Sequence, residues 1–226
     1  MNRKKAAPVY RVSRLAQPPV IDAVWDKLTW KNIPALKVVN YMGAKPDHLP
    51  LTQAKLAYDG IALYGIFRVQ DRYVRAVARQ HQDCVCTDSC VEFFFSPGPD
   101  VEKGYFNLEI NCGGIVLFHF QTVPRQDQRA LPAADLRRVQ IAHSLPKRVD
   151  PEIKTPTTWT VEYRLPVEIL KRYRPVAVPE PGAIWRANFF KCADATSHPH
   201  WLTWARVHRP RPDFHVPEDF GILVFE

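Results

Sequence analysis

The chain has 226 residues, 46% hydrophobic and 24% charged, and its 31 Lys and Arg against 23 Asp and Glu give a formal charge of +8. That is the composition of a chain that folds around a core, and it excludes a disordered polypeptide. Much of the positive excess lies before residue 15, in Arg3, Lys4, Lys5, Arg11 and Arg14. A basic arm over about residues 1–8 is expected to be solvated. No helix-turn-helix, zinc-finger or RNA-recognition pattern accompanies it, so no nucleic-acid partner is expected. No stretch has the length of a membrane span, and AAPVYRVSRL after Lys5 lacks the apolar run of an export signal. As written, the chain is expected in the cytoplasm; loss of an export signal would make it extracellular or periplasmic.

Segments of period two recur along the chain: VYRVSR from Val9, ALKVVN from Ala35, TQAKLAY from Thr52 and IALYGIFRV from Ile61. VEFFFS from Val91, YFNLEI from Tyr105, GIVLFHF from Gly114 and RRVQIAH from Arg137 follow. TWTVEYRL from Thr158, IWRANFF from Ile184 and GILVF from Gly221 complete the series. Turn pairs such as Asp59-Gly60 and Gly113-Gly114, with most of the 21 prolines, separate them. Only PVEILKRY from Pro166 has a helical pattern, of about two turns, and DAVWDKLT forms a second short turn capped by Asp22. Strands with almost no crossover helices predict an all-β, antiparallel β-sandwich, as a single domain over residues 1–226.

The five cysteines, Cys84, Cys86, Cys90, Cys112 and Cys192, are odd in number and contain no CxxC spacing. Reduced thiols are expected rather than a full disulfide framework. Cys84, Cys86 and Cys90 would share one face of a strand, but metal binding would need a ligand from elsewhere. Cys90 and Cys112, on neighbouring strands, are expected to be small buried hydrophobes without a disulfide between them. Beyond His198-Pro-His200 the histidines offer no zinc framework, so no metal site is assigned.

Seven stretches carry a resemblance: VIDAVWDKLTW, LAYDGIALYGIFRVQD, DSCVEFFF, YFNLEINCGG, TWTVEYRLPVEIL, WRANFFKCAD and FHVPEDFGILVF. In this order, from Val20 to Phe225, they resemble family 9 carbohydrate-binding modules and the wider DOMON-like sandwiches. The resemblance implies a non-catalytic sandwich that holds a mono- or oligosaccharide, or a polysaccharide chain end, between aromatic rings and polar side chains. It implies no required cofactor, although a structural calcium is compatible with it. One aromatic position of that clamp falls on Cys84 or Val85, where the ring is missing, and the other on Phe214.

Alternation on the strand through Glu92 puts Val91, Phe93 and Phe95 on one face and Cys90, Glu92 and Phe94 on the other. On the next strand Tyr105, Asn107, Glu109 and Asn111 oppose the apolar face. Arg68, Glu92, Asn107, Glu109 and Asn188 are therefore expected to orient sugar hydroxyls, which donate and accept hydrogen bonds at once. Trp204 is favoured over Trp201 as the wall facing Phe214, while Trp25, Trp30, Trp159 and Trp185 are expected in the core. Two other classes stay open: a haem or electron-transfer sandwich using Met42, and an enzyme using Glu92 and Glu109 as paired carboxylates.

Overall fold

The structure, a computed structural model, describes residues 6–226; Arg3, Lys4 and Lys5 of the basic arm lie outside the described residues. In chain order the strands are β1 (Val9–Arg14), β2 (Leu36–Val38), β3 (Asn40–Tyr41), β4 (Leu51–Tyr58) and β5 (Ala62–Asp71). Next come β6 (Val74–Ala76), β7 (Cys90–Ser96), β8 (Tyr105–Asn111), β9 (Val116–Gln121), β10 (Arg129–Ala130) and β11 (Gln140–His143). The last five are β12 (Val149–Ile153), β13 (Thr157–Pro166), β14 (Ile184–Cys192), β15 (Trp201–Thr203) and β16 (Gly221–Phe225).

Two sheets face each other. The first runs β10-β9-β8-β7-β14-β16-β1 and the second β1-β4-β5-β13-β11, so β1 belongs to both. Val9 to Val12 pair with Ile222 to Phe225, and Ser13 and Arg14 pair with Ala57 and Tyr58. Both contacts are parallel, an exception to the antiparallel pairing expected throughout.

The alternation read from the sequence decides what lies between the sheets. Val91, Phe93 and Phe95 of β7 and Phe106, Leu108 and Ile110 of β8 point inward, against Phe67, Trp159, Val161 and Tyr163 of the second sheet. Each such side chain contributes about 1.5–3 kcal/mol on burial. Gly65 of β5 sits opposite Tyr163, and a Cβ there would lie 2.2 Å from the tyrosine ring. The position accepts glycine because the phenol fills that space.

A further layer covers the outside of each sheet. Trp25, Trp30 and Ile33 pack on Ala57, Ala62, Tyr64 and Ile66 of the second sheet. They are tied down by Glu162, whose carboxylate accepts bonds from the amides of Asp22 and Ala23, Trp30 Nε1 and Lys27 Nζ. On the first sheet, Val207, Phe214, Val216 and Phe220 cover Phe94, Tyr105 and Phe190. The candidate site lies under the edge of this second covering segment.

The helical expectations need correction. The segment after Pro166 forms one turn, Val167–Leu170, with Pro166 ahead of it as N-cap. Asp22 caps a local bend by accepting from Val24 N, while the helical turn itself is Leu28–Lys31. Cys84, Cys86 and Cys90 do not share one strand, because Val85–Thr87 is a 3-10 turn that breaks the alternation.

Candidate functional site

Glu92 of β7 and Glu109 of β8 are direct cross-strand partners. On the other side of β7, Phe190 pairs with Glu92 and Cys192 with Cys90. Strand alternation therefore brings Cys90, Glu92, Phe94, Asn107, Glu109, Phe190 and Cys192 to the outer face of the first sheet. Part of this face is covered by the 205–220 segment. The uncovered remainder is a pocket of about 170 Å³ bounded by Cys86, Glu92, Phe94, Glu109, Arg125, Cys192, Asp194, Trp201, Pro212, Asp213, Phe214 and His215.

Behind the pocket runs a hydrogen-bonded chain that ends on the lining residues Glu109 and His215. Asn107 Nδ2 donates to Glu109 Oε1 at 2.9 Å, and Gln121 Nε2 donates to Asn107 Oδ1 at 3.0 Å. His215 Nδ1 lies 2.8 Å from the Tyr105 hydroxyl and 3.2 Å from Gln121 Nε2. With two donors facing it, Nδ1 is the acceptor and the ring's proton belongs on Nε2. Burial and the nearby Arg125 push His215 down to about 4, so the ring is neutral at physiological pH. At the rim, Arg125 Nη2 pairs with Asp213 Oδ1 at 2.9 Å.

The two carboxyls lack cations. Neither Glu92 nor Glu109 forms an ion pair among the described residues, and both are buried. Desolvation, followed by the adjacent Glu109, raises Glu92 well above the usual carboxylate range. Desolvation raises Glu109 to about 7. At neutral pH the pair thus offers both O–H donors and acceptor oxygens to a ligand.

Phe94, Phe214 and Trp201 give the pocket aromatic surface beside the charged Arg125, Asp194 and Asp213. Phe214 stacks on Phe190 with centroids 4.2 Å apart and meets Phe94 edge-on. Half-buried Trp201 also lines the pocket, its Nε1 donating to Asp194 Oδ1 at 2.8 Å. Trp201, Asp194 and Pro212 also border a wider groove of about 660 Å³ that continues past Met42, Lys45, His198 and Arg211.

Of the seven site residues expected from the sequence, Glu92, Glu109 and Phe214 line the pocket, and Asn107 stands behind it on Glu109. Arg68 does neither. It lies on β5 in the other sheet, its guanidinium over Trp25 and its Nη2 on Gln53 Oε1 at 2.8 Å. Asn188 is on the correct face but is occupied structurally: its amide donates to Ala205 O and accepts from Ala205 N, pinning the covering segment. Trp204 packs edge-on against Phe189 and over Gly221, outside the pocket. Trp201, three residues earlier, lines the pocket in the place expected of Trp204.

Arg125, Asp194, His215, Cys86 and Cys192 were missed as pocket residues. Arg125, Asp194, His215 and Cys86 lie outside strands, where periodicity carries no signal, and Cys192 follows the alternation of β14 but meets Cys90 only through the β7–β14 pairing. Cys90 and Cys112 lie in different apolar clusters, on opposite faces of the sheet, and all five thiols are free.

The model of carbohydrate-binding family 9 matches residues 19–225. The chain belongs to carbohydrate-binding family 9. Its similarity to solved structures has the same content. A candidate carbohydrate-binding protein from Bacteroides uniformis ATCC 8492 is 28% identical, with a TM-score of 0.88 over 98% of this chain and 100% of that one. A family 9 module from Caldicellulosiruptor kristjanssonii, solved with cellotriose, shares the fold at 17% identity and a TM-score of 0.66, over 97% of this chain and 94% of that one. Its complex with glucose matches equally, over 97% and 96%. No functionally curated protein matches the chain. Family 9 membership makes this β-sandwich a carbohydrate-binding protein of a non-catalytic family. It has no helix long and apolar enough to cross a membrane among the described residues.

Proposed function

We propose that the pocket between Phe214 and Trp201 receives the terminal ring of a carbohydrate chain. The carrying observation is the Glu92–Glu109 pair, set opposite each other, with Glu109 fixed from behind by the Asn107–Gln121–His215 chain. Such an arrangement presents fixed donors and acceptors to several hydroxyls at once. The rings alongside offer apolar surface to the C–H faces of a sugar. A volume of about 170 Å³ equals that of roughly six waters at about 30 Å³ each. This is the scale of one ring, and the adjoining groove past Trp201 would carry the next unit.

The same carboxyls could serve as an acid and a base, but both are buried on a sheet floor and the family is one of binders. We therefore assign them to recognition. The test is a glycan screen of the intact chain, with and without a chelator, followed by calorimetry on the best ligand. Binding of a chain-end sugar, without its hydrolysis in the same mixture, is the expected result. Hydrolysis abolished by Glu92→Gln, or no binding to any mono- or oligosaccharide, would overturn the assignment. A structural calcium would show as a fall in melting temperature on chelation that calcium restores.

A further inference from the structure

The pocket contains a second constellation, which shares Glu92 with the proposed sugar site. Cys90 and Cys192 are direct cross-strand partners on β7 and β14, and Glu92 projects beside them from the same face. One Sγ from each cysteine and one carboxylate oxygen of Glu92 all lie within 4.8 Å of one another. Cys192 Sγ donates to Glu92 Oε1 at 3.0 Å. We propose that Cys90, Cys192 and Glu92 form a zinc(II) site, with the pocket supplying the remaining coordination position.

Chemistry favours that ion. Zinc takes thiolate sulfur at about 2.3 Å and carboxylate oxygen at about 2.0–2.2 Å in a tetrahedron, so its ligand atoms stand roughly 3.6–3.8 Å apart. The three atoms lie within 4.8 Å of one another, and the 3.0 Å Cys192–Glu92 contact needs to open by only about half an ångström. Two sulfurs exclude calcium and magnesium, which demand oxygen cages. The carboxylate disfavours copper(I), which prefers sulfur alone.

A second, independent observation is the charge of the site. Glu92 is 2% exposed and Glu109 6%, and neither has an ionic partner among the described residues. Buried carboxylates are ordinarily paired or bound to metal. A divalent ion would take the place of the protons that otherwise neutralise this buried set. Access is available because Glu92 and Cys192 line the pocket while Cys90 lies behind them. The fourth ligand is then a water or a sugar hydroxyl, which places the ion where a bound carbohydrate would touch it. Binding displaces the thiol protons, so zinc affinity should rise with pH.

The test uses the reduced, chelator-stripped full chain, titrated with zinc against a chromophoric competitor and with cobalt(II) as spectroscopic probe. One equivalent should bind, with sulfur-to-cobalt charge-transfer absorption. Cys90→Ser and Cys192→Ser should each weaken binding by roughly a hundredfold or more, beyond what loss of a supporting hydrogen bond costs. Cys84→Ser, at an exposed thiol outside the set, should change nothing. If the serine variants fail to fold, X-ray absorption of the zinc-loaded parent decides, since two sulfurs and light-atom ligands are required. Absence of the absorption band, its survival in Cys192→Ser, or a Cys90–Cys192 disulfide in the native protein would each overturn the site. Sugar titration of the metal-free protein keeps this result separate, because the proposed carbohydrate site stands or falls on that measurement alone.

Discussion

Glu92 and Glu109 face each other across β7 and β8 at a buried, directly paired position. In an antiparallel pair this puts their Cβ atoms about 4.5–5.5 Å apart, close enough that two negative charges repel strongly. Burial raises Glu109 from 4.5 to about 7. A carboxyl raised in the folded state favours folding when protonated, and that contribution is lost as pH rises from about 4.5 through 7. Metal-free parent protein should therefore lose stability relative to Glu109→Gln between pH 5 and pH 8, by about 3 kcal/mol from a shift of this size. Thermal melts of both at the two pH values measure it. Parallel losses would show that Glu109 ionises freely.

Phe214 and Trp201 should contribute to sugar affinity together. Replacing either with Ala removes stacking area and is expected to weaken binding by about 1–3 kcal/mol, roughly five- to hundredfold. Trp204→Phe and Trp159→Phe should alter the melting temperature and spare affinity, since both rings pack away from the pocket. Isothermal calorimetry with the screened glycan distinguishes the two groups. Equal affinity for the parent and a folded Trp201→Ala protein would move the site elsewhere.

Strand alternation carried far in this chain. It assigned the inward and outward faces of β7 and β8 correctly, and with them the meeting of Glu92, Asn107 and Glu109, because a period of two leaves a paired strand little choice. It could not reveal that Arg68 projects from the opposite sheet. Arg68 and Glu92 both occupy outward positions, and an outward position says nothing about which of two outer surfaces it faces. Nor could it choose between Trp201 and Trp204. That choice depends on β15 pairing with both β14 and β3, where β3 is only two residues long. Cys192 escaped notice as a neighbour of Cys90 because about a hundred residues separate two positions that the sheet sets side by side.

Glu162 should be among the residues least tolerant of change. Its carboxylate satisfies two backbone amides, an indole N–H and an ammonium. Glu162→Gln would turn an amide N–H toward some of these donors and leave Lys27 without its buried partner. Such losses cost about 3–5 kcal/mol, which for a chain of this size lowers the melting temperature by roughly 10 °C. Scanning calorimetry tests this, and a melting temperature within about 2 °C of the parent would refute it.

Lys191 should act as a structural counter-ion. It is fully buried, with Nζ 2.7 Å from His200 Nε2 and 3.6 Å from Asp71 Oδ2. Burial alone would raise Asp71, but Lys191, His200 and the His48 hydrogen bond outweigh it and hold the carboxyl below its usual range. A depressed carboxyl stabilises the fold above its unfolded value of about 4 and loses that contribution as pH falls. Lys191→Met should thus cost about 3–5 kcal/mol near neutrality. The deficit should shrink as pH falls toward and below about 4, because without Lys191 burial makes Asp71 take up its proton at a higher pH than in the parent. Denaturant titrations across that range would detect it; a deficit independent of pH would count against the role assigned to Lys191.

The junction of β16 with β1 has a consequence for how the molecule is made. Among the described residues, β16 provides the hydrogen-bonded link from β14 to β1, and through β1 to β4 and the second sheet. Gly221–Phe225 are therefore the last of the paired segments to leave a ribosome and the ones that join the two halves. Until they emerge, the rows β10-β9-β8-β7-β14 and β1-β4-β5-β13-β11 have unpaired borders at β14 and β1. Exposed borders of this kind invite association with other nascent chains. The sandwich cannot close until β16 has emerged, and protection of its interior waits for that strand.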